Sequence, residues 1–231
     1  MPQRGETMLL RHFCIFSVWA VVAMGCAFES GDAPMPPPEP LTVMERIERG
    51  PTFAIVAPRA TVEMDVRFPR SDTPGVQSMT LIPDRGALVV RALDEERLKL
   101  KSMELELDER SLGADTFPPR GMTLRNVHLQ LAGETSADAQ WSSGESEGHA
   151  RLEGTLLLDW SVLLDAGSEW PLAQQEFAGV PLDVQVGTDA QNNLIVELSA
   201  AIDGPVWSWG GVVEVSNLRL YLPAIEEDTG S

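Results

Sequence analysis

Apolar and polar side chains alternate along Leu98-Lys-Leu-Lys-Ser-Met-Glu-Leu-Glu-Leu107, with one step skipped at Ser102. The same phrase returns as Leu124-Arg-Asn-Val-His-Leu-Gln-Leu131 and as Val215-Ser-Asn-Leu-Arg-Leu-Tyr-Leu222, with Asn126 and Asn217 in the place of Ser102. Period-2 alternation sends one row of side chains into a core and the other into water, so each phrase predicts a half-buried β-strand. The skipped step has two readings. A β-bulge inserts an extra residue and returns both apolar rows to one face. A bend at a sandwich corner would instead present the second half to another sheet. The bulge is favoured, because a small polar side chain that bonds its own backbone suits an irregular position. Repetition of a short leucine-rich phrase is strand grammar rather than domain duplication.

The same pattern extends over the rest of the chain. Thr42 and Glu45 have capping-box spacing, and Met44 to Gly50 predicts a short helix closed by Gly50. Thr52–Val56 is a short apolar run, and Val62, Met64, Val66 and Phe68 alternate with charged residues. Turns are expected at Arg70–Gly75, at Pro83–Gly86 between Met79–Ile82 and Ala87–Arg91, and around Leu112–Arg120. Gly133–Gly148 is small and polar and reads as a loop or exposed hairpin tip. Leu152–Leu164 contains Leu156-Leu-Leu158, apolar on both faces and so suited to a central strand. Asp165–Val180 breaks the pattern, as an irregular crossing or short helix would. Leu182–Val186 and Leu194–Leu198 flank a long hairpin loop, 187–193. These spacings predict an all-β fold, an antiparallel β-sandwich or half-open barrel of roughly nine or ten strands. A single β domain would span 41–225, followed by a polar tail, 226–231. Aromatics make up only 6% and form no paired girdles, which disfavours a membrane-spanning barrel.

The first forty residues differ in kind. Arg4 and Arg11 precede Phe13–Met24, an apolar run of about a dozen residues, too short to cross a bilayer comfortably. The run ends in Ala23-Met24-Gly25-Cys26. Residues 1–25 have the layout of an export signal, and its end resembles the lipobox of bacterial lipoproteins, with Ala23 standing where that family usually has Leu. The resemblance implies that Cys26 is lipidated and becomes the new N-terminus, and Ala27 in the next position implies sorting to the outer membrane. Which side of that membrane the domain faces is left open. Residues 26–40 would then be a tether, whose Pro-rich part runs from Ser30 to Pro40. Proline-rich chain stays extended and hydrated, at about 3.1 Å per residue. More than one acyl chain gives firm attachment, each buried methylene contributing about 0.8 kcal/mol.

A net charge of -18 over 231 residues argues against nucleic-acid binding, which needs clustered Lys and Arg. It also means that anionic lipid would repel the domain, leaving the anchor to hold it. The two cysteines are Cys14 and Cys26. The domain beyond residue 26 therefore has no disulfide, thiolate metal site or cysteine nucleophile of its own.

Candidate chemistry is sparse. Gly144-Glu-Ser-Glu-Gly148 matches the G-x-S-x-G spelling of a nucleophile elbow, with His149 beside it. The elbow needs a buried strand before the Ser and a helix after it, and here polar residues and two glutamates surround Ser146. His128 is expected to face solvent, and with His149 it is too little for a transition-metal site. Glu104 with Glu106, and Glu63 with Asp65, share strand faces as outward carboxylate rows do in an acidic protein. Trp207 and Trp209 fall on one face and form either a ligand platform or, by preference, a plug at one end of the core. No catalytic residue, metal site or cofactor is expected. The sequence therefore predicts a non-enzymatic, lipid-anchored module that meets an unidentified envelope protein. The alternative is a carrier that holds an apolar ligand between its inner faces.

Overall fold

The computed structural model describes residues 41–67, 76–94, 96–112, 122–164, 167–172, 174–209 and 213–227. All belong to one unit, Pro40–Ser231. The expected signal, the lipobox with Cys26, the tether 26–40, the Arg70–Gly75 turn and all of the Leu112–Arg120 turn but Leu112 lie outside the described residues, as do residues 228–231 of the polar tail.

In chain order the elements are helix α1 (Val43–Arg49), then β1 (Thr52–Val56), β2 (Thr61–Arg67), β3 (Val76–Leu81) and β4 (Pro83–Asp94). Next come β5 (Arg97–Leu107), β6 (Arg110–Leu112), β7 (Met122–Leu131), β8 (Thr135–Trp141) and β9 (Gly148–Leu164). Last are β10 (Glu169–Pro171), β11 (Gln175–Thr188), β12 (Leu194–Trp209) and β13 (Val213–Glu226). Every pairing between them is antiparallel, and the hydrogen-bonded order is β1-β4-β5-β7-β9-β11-β12-β13, with β13 pairing back to β1. Short strands prolong their neighbours. The pair β1–β2 lies beside β13, β3–β4 beside β1–β2, and β7–β8 fills the slot between β5 and β9. The result is eight staves in a simple up-and-down meander, hydrogen-bonded into a ring.

The ring splits at one end. Asp108 N–H donates to Ile82 O at 3.0 Å, and Ile82 N–H donates to Asp108 Oδ1 at 2.8 Å. Beyond that link β3 pairs with β2 and β6 with β7, and no β3–β6 pairing occurs among the described residues. The fold is all-β and antiparallel, and of the two expected architectures it is the half-open barrel.

The skipped steps are bulges at all three phrases. Val89 faces Ser102 while Val90 faces Leu100, leaving Lys101 as the extra residue. Between the Arg125–Ser161 and His128–Asp159 pairs, Asn126 and Val127 oppose one residue. Between Ser216–Asp65 and Arg219–Glu63, Asn217 and Leu218 oppose Met64. Asn126 and Asn217 take φ of 51° and 55°, the left-handed region that Asn tolerates better than most L-residues. Each bulge keeps its strand's apolar row on the inside. Leu98, Leu100, Met103, Leu105 and Leu107 are all buried, and they share one core with Leu124, Val127, Leu129, Leu218, Leu220 and Leu222. Each such side chain contributes about 1.5–3 kcal/mol by leaving water.

Helix α1 sits at the rim opposite the split. Its capping box is complete: Glu45 N–H donates to Thr42 Oγ1 at 3.2 Å, and Thr42 N–H donates to Glu45 Oε2 at 2.9 Å. Val43, Met44 and Ile47 are buried. Met44 N–H donates to Glu145 O, Arg46 donates to Asn192 O at 2.8 Å, and Arg46 pairs with Glu226. Gly50 closes the helix, in extended conformation (φ -178°).

Four local expectations are corrected. Pro83–Gly86 is not a turn but the start of β4, where proline's missing N–H is tolerated at a first strand residue. Thr135–Trp141 is a strand inside the segment read as a loop. Its inward residues Ala137, Ala139 and Trp141 pack on the core although two of them are only alanine. Within 165–180, the segment read as a crossing or helix, Glu169–Pro171 and Gln175–Val180 are strand, with Gly179 at φ 70° inside a register shift. Among the described residues the strand segments number thirteen, against the nine or ten expected, because bulges and breaks divide the eight staves.

Candidate functional site

Strand β1 shows how apolar side chains come to lie outside the barrel. Thr52 and Ala54 point inward, so alternation turns Phe53 and Ile55 outward, where they remain 50% and 44% exposed. Register then lines up their neighbours. Ile55 stands opposite Ala87 of β4 on one side and Ile225 of β13 on the other, and Ile225 stands opposite Ile195 of β12. Directly opposed residues have Cβ atoms about 4.5–5.5 Å apart, so these four form a continuous apolar row across four staves. Phe53 opposes Val89 one step nearer the rim, and Tyr221 continues the outward row of β13.

Charged residues surround this row. Arg59 pairs with Glu197 at 3.5 Å, and Tyr221 Oη donates to the same carboxylate at 3.4 Å. Arg85 lies 3.9 Å from Glu106, and Arg46 is engaged by Glu226. A hollow of about 460 Å³ opens on the β4–β5 side, where Ile55, Val56 and Ala87 meet Asp84, Glu104, Glu106 and His128. A second, of about 410 Å³, opens beyond Ile195 and includes Glu147, His149, Gln185 and Glu197. An apolar centre with a charged margin is the anatomy of a protein-binding surface.

The sequence-predicted residues fall elsewhere. Trp207 is half-buried against the core and meets Trp160 edge-on, with ring centroids 5.1 Å apart and planes at 74°. The Trp209 backbone pairs with Val213, and its side chain lies outside the described atoms. His128 is exposed on the outer face, next to Glu106 in register, and Glu104 and Glu106 point outward as expected. His149 Nε2 lies 2.5 Å from Asp183 Oδ1. Ser146 Oγ is 3.1 Å from Ser142 Oγ, in the tight turn 142–147. No group of His, Cys, Asp and Glu suited to a metal ion occurs among the described residues.

Among the described residues, three titrating groups are shifted. Hydrogen bonds from the Asn217 amide and the Ser78 hydroxyl hold the Asp65 carboxyl below its ordinary value, with Arg219 adding a smaller effect in the same direction. Asp189 is lowered by the Asn193 side chain and then by the Asn193 and Gln191 main-chain amides, which organise the β11–β12 loop. The Glu109 carboxylate, 2.7 Å away, raises Arg125. All three groups stabilise turns or bulges.

Comparison of the chain with models of known protein families, with curated proteins and with solved structures returns no match. The row at Ile55 is what sequence reasoning missed. Its signal was there in Thr52-Phe-Ala-Ile-Val56 and in Leu222-Pro-Ala-Ile225, runs apolar on both faces where a half-exposed strand would carry polar residues on one.

Proposed function

We propose that this protein is a lipid-anchored envelope lipoprotein, held at the outer membrane through Cys26, whose barrel acts as a non-enzymatic interaction module. The observation that carries the module reading is the Ala87–Ile55–Ile225–Ile195 row on the outside of the barrel, exposed at Ile55 and Ile225 and half-buried at Ala87 and Ile195, in an otherwise acidic surface. The free edges at the split, on β3 and β6, lie away from this row, whose four staves are paired on both sides, so a partner seated on it would meet a face of the barrel and not add a strand there. The alternative, a carrier, needs an unfilled interior. Leu100, Met103, Leu129 and Leu220, which would line such a chamber, are instead buried together in one apolar core. The hollows described above are lined by outward-facing residues. The anchor reading rests on Ala23-Met24-Gly25-Cys26 and the Pro-rich stretch after it.

Two measurements test the proposal in cells. Cys26→Ser is expected to move the protein from the membrane fraction to the soluble one, and retention would remove the anchor. A photo-crosslinking residue at Ile55 is expected to trap one discrete partner, with none trapped from the outward Glu176 position. Equal or absent trapping at both positions would remove the module reading.

A further inference from the structure

We infer that the Ile55 row is the seat of a cationic amphipathic helix presented by a partner polypeptide. This rests on the interaction-module reading and names the partner's chemistry. Spacing is the first argument. Adjacent staves lie about 4.8 Å apart, so Ala87, Ile55, Ile225 and Ile195 repeat at nearly the 5.4 Å pitch of an α-helix. One apolar side chain per helical turn would meet one stave each, with the helix axis crossing the strands.

Charge is the second argument. The cations beside the row, Arg46, Arg59 and Arg85, each already face a glutamate, at Glu226, Glu197 and Glu106. Asp84 and Glu104 in the adjoining hollow, and Glu227 beside Phe53, are exposed carboxylates with no side-chain partner among the described residues. Arg49 and Arg91, exposed and likewise without a side-chain partner among the described residues, lie towards the Phe53 end, so the uncompensated charge is negative on the β4–β5 side of the row, at Asp84 and Glu104. A helix whose flanks carry Lys or Arg would neutralise it, whereas a second copy of this chain or an anionic lipid surface would add charge of the same sign.

The probe is a fluorescent peptide of about 14 residues with Leu at i, i+3, i+4 and i+7 and Lys elsewhere. Its counterparts keep the Leu face but carry Glu, or keep Lys but replace Leu by Gln. The intact protein, in detergent if it is lipidated, is expected to bind the Leu/Lys peptide and neither counterpart. Ile55→Ser with Ile225→Ser should weaken binding by at least about tenfold. Asp84→Asn with Glu104→Gln and Glu227→Gln should weaken it several-fold and flatten its salt dependence. Glu153→Gln with Glu176→Gln, far along β9 and β11 from the row, should leave it unchanged. Equal losses in the near and distant sets would show unspecific attraction and overturn the inference, as would preference for the Glu peptide or self-association that depends on Ile55. If the peptide fails to bind while Ile55 still traps a partner in cells, the helix chemistry is wrong and the module reading stands. If both fail, both fall.

Discussion

The Asn217 side-chain amide donates to Asp65 Oδ2 across 2.9 Å, joining residues 152 positions apart in the chain. Asn217 Oδ1 accepts from Gly204 N–H at 3.0 Å, and Ser78 Oγ donates to Asp65 Oδ1 at 2.7 Å. One amide thus ties the bulge of β13 to β2 on one side and to the irregular stretch of β12 on the other. Asn217→Gly should keep the left-handed backbone but lose both bonds, at a cost of about 1–2 kcal/mol. Asn217→Ala loses the bonds and adds strain at positive φ, for a total of about 2–4 kcal/mol. Urea unfolding of both variants checks the order; an equal loss would mean that the conformation contributes nothing.

The same carboxylate gives the barrel a defined acid sensitivity. Asp65 and Asp189 are lowered in the folded state, so at low pH the unfolded chain binds more protons and stability rises with pH. Their contribution is complete above the unfolded value of about 3.9 and is lost as pH falls through the lower folded values. Urea midpoints measured from pH ~5 down to pH ~2 should fall, and Asp65→Asn should make that fall shallower. An unchanged slope would mean that the Asn217 and Ser78 bonds do not favour the charged form.

Gly148 opens β9 directly beneath an indole. A Cβ there would sit 2.5 Å from a Trp141 ring carbon, with two more ring carbons inside 3 Å. The ring is stiff and packed on the core, so Gly148→Ala should cost about 1–3 kcal/mol. In a Trp141→Leu background the same change should cost clearly less, giving a non-additive double-mutant cycle. Additive losses would show that the ring moves aside freely.

Alternate residues of β5 should respond oppositely. Leu105 is 2% exposed and Glu104 points outward. Leu105→Asp buries a charge without a partner and should abolish cooperative unfolding, whereas Glu104→Ala should change stability by less than about 0.5 kcal/mol. Circular dichroism and thermal melts decide this, and the reverse order would place β5 the other way round.

The three bulges were legible because a broken period must be repaired for both halves of a strand to reach one core. Ser102, Asn126 and Asn217 mark the repair with side chains that suit irregular backbone. Strand β8 was not legible, since Thr135, Ala137 and Ala139 carry too little apolar surface to stand out beside polar neighbours. Pro83 and Gly86 carried turn chemistry, but they open a strand, where pairing with β5 outweighs local preference. The apolar row was hidden for a different reason. Its members come from four separate segments, and only register, set by bulges and turns, brings Ile55, Ile225 and Ile195 side by side.

The pairing of β1 with β13 has a kinetic consequence. Each hairpin of the meander can form as soon as its two staves exist, but the last junction joins the earliest strand to the latest. Such a junction is entropically the slowest to close. During synthesis the nascent sheet must therefore carry two bare margins until β13 has been made. Maturation waits on the arrival of that one strand, and the chain remains threadable until then.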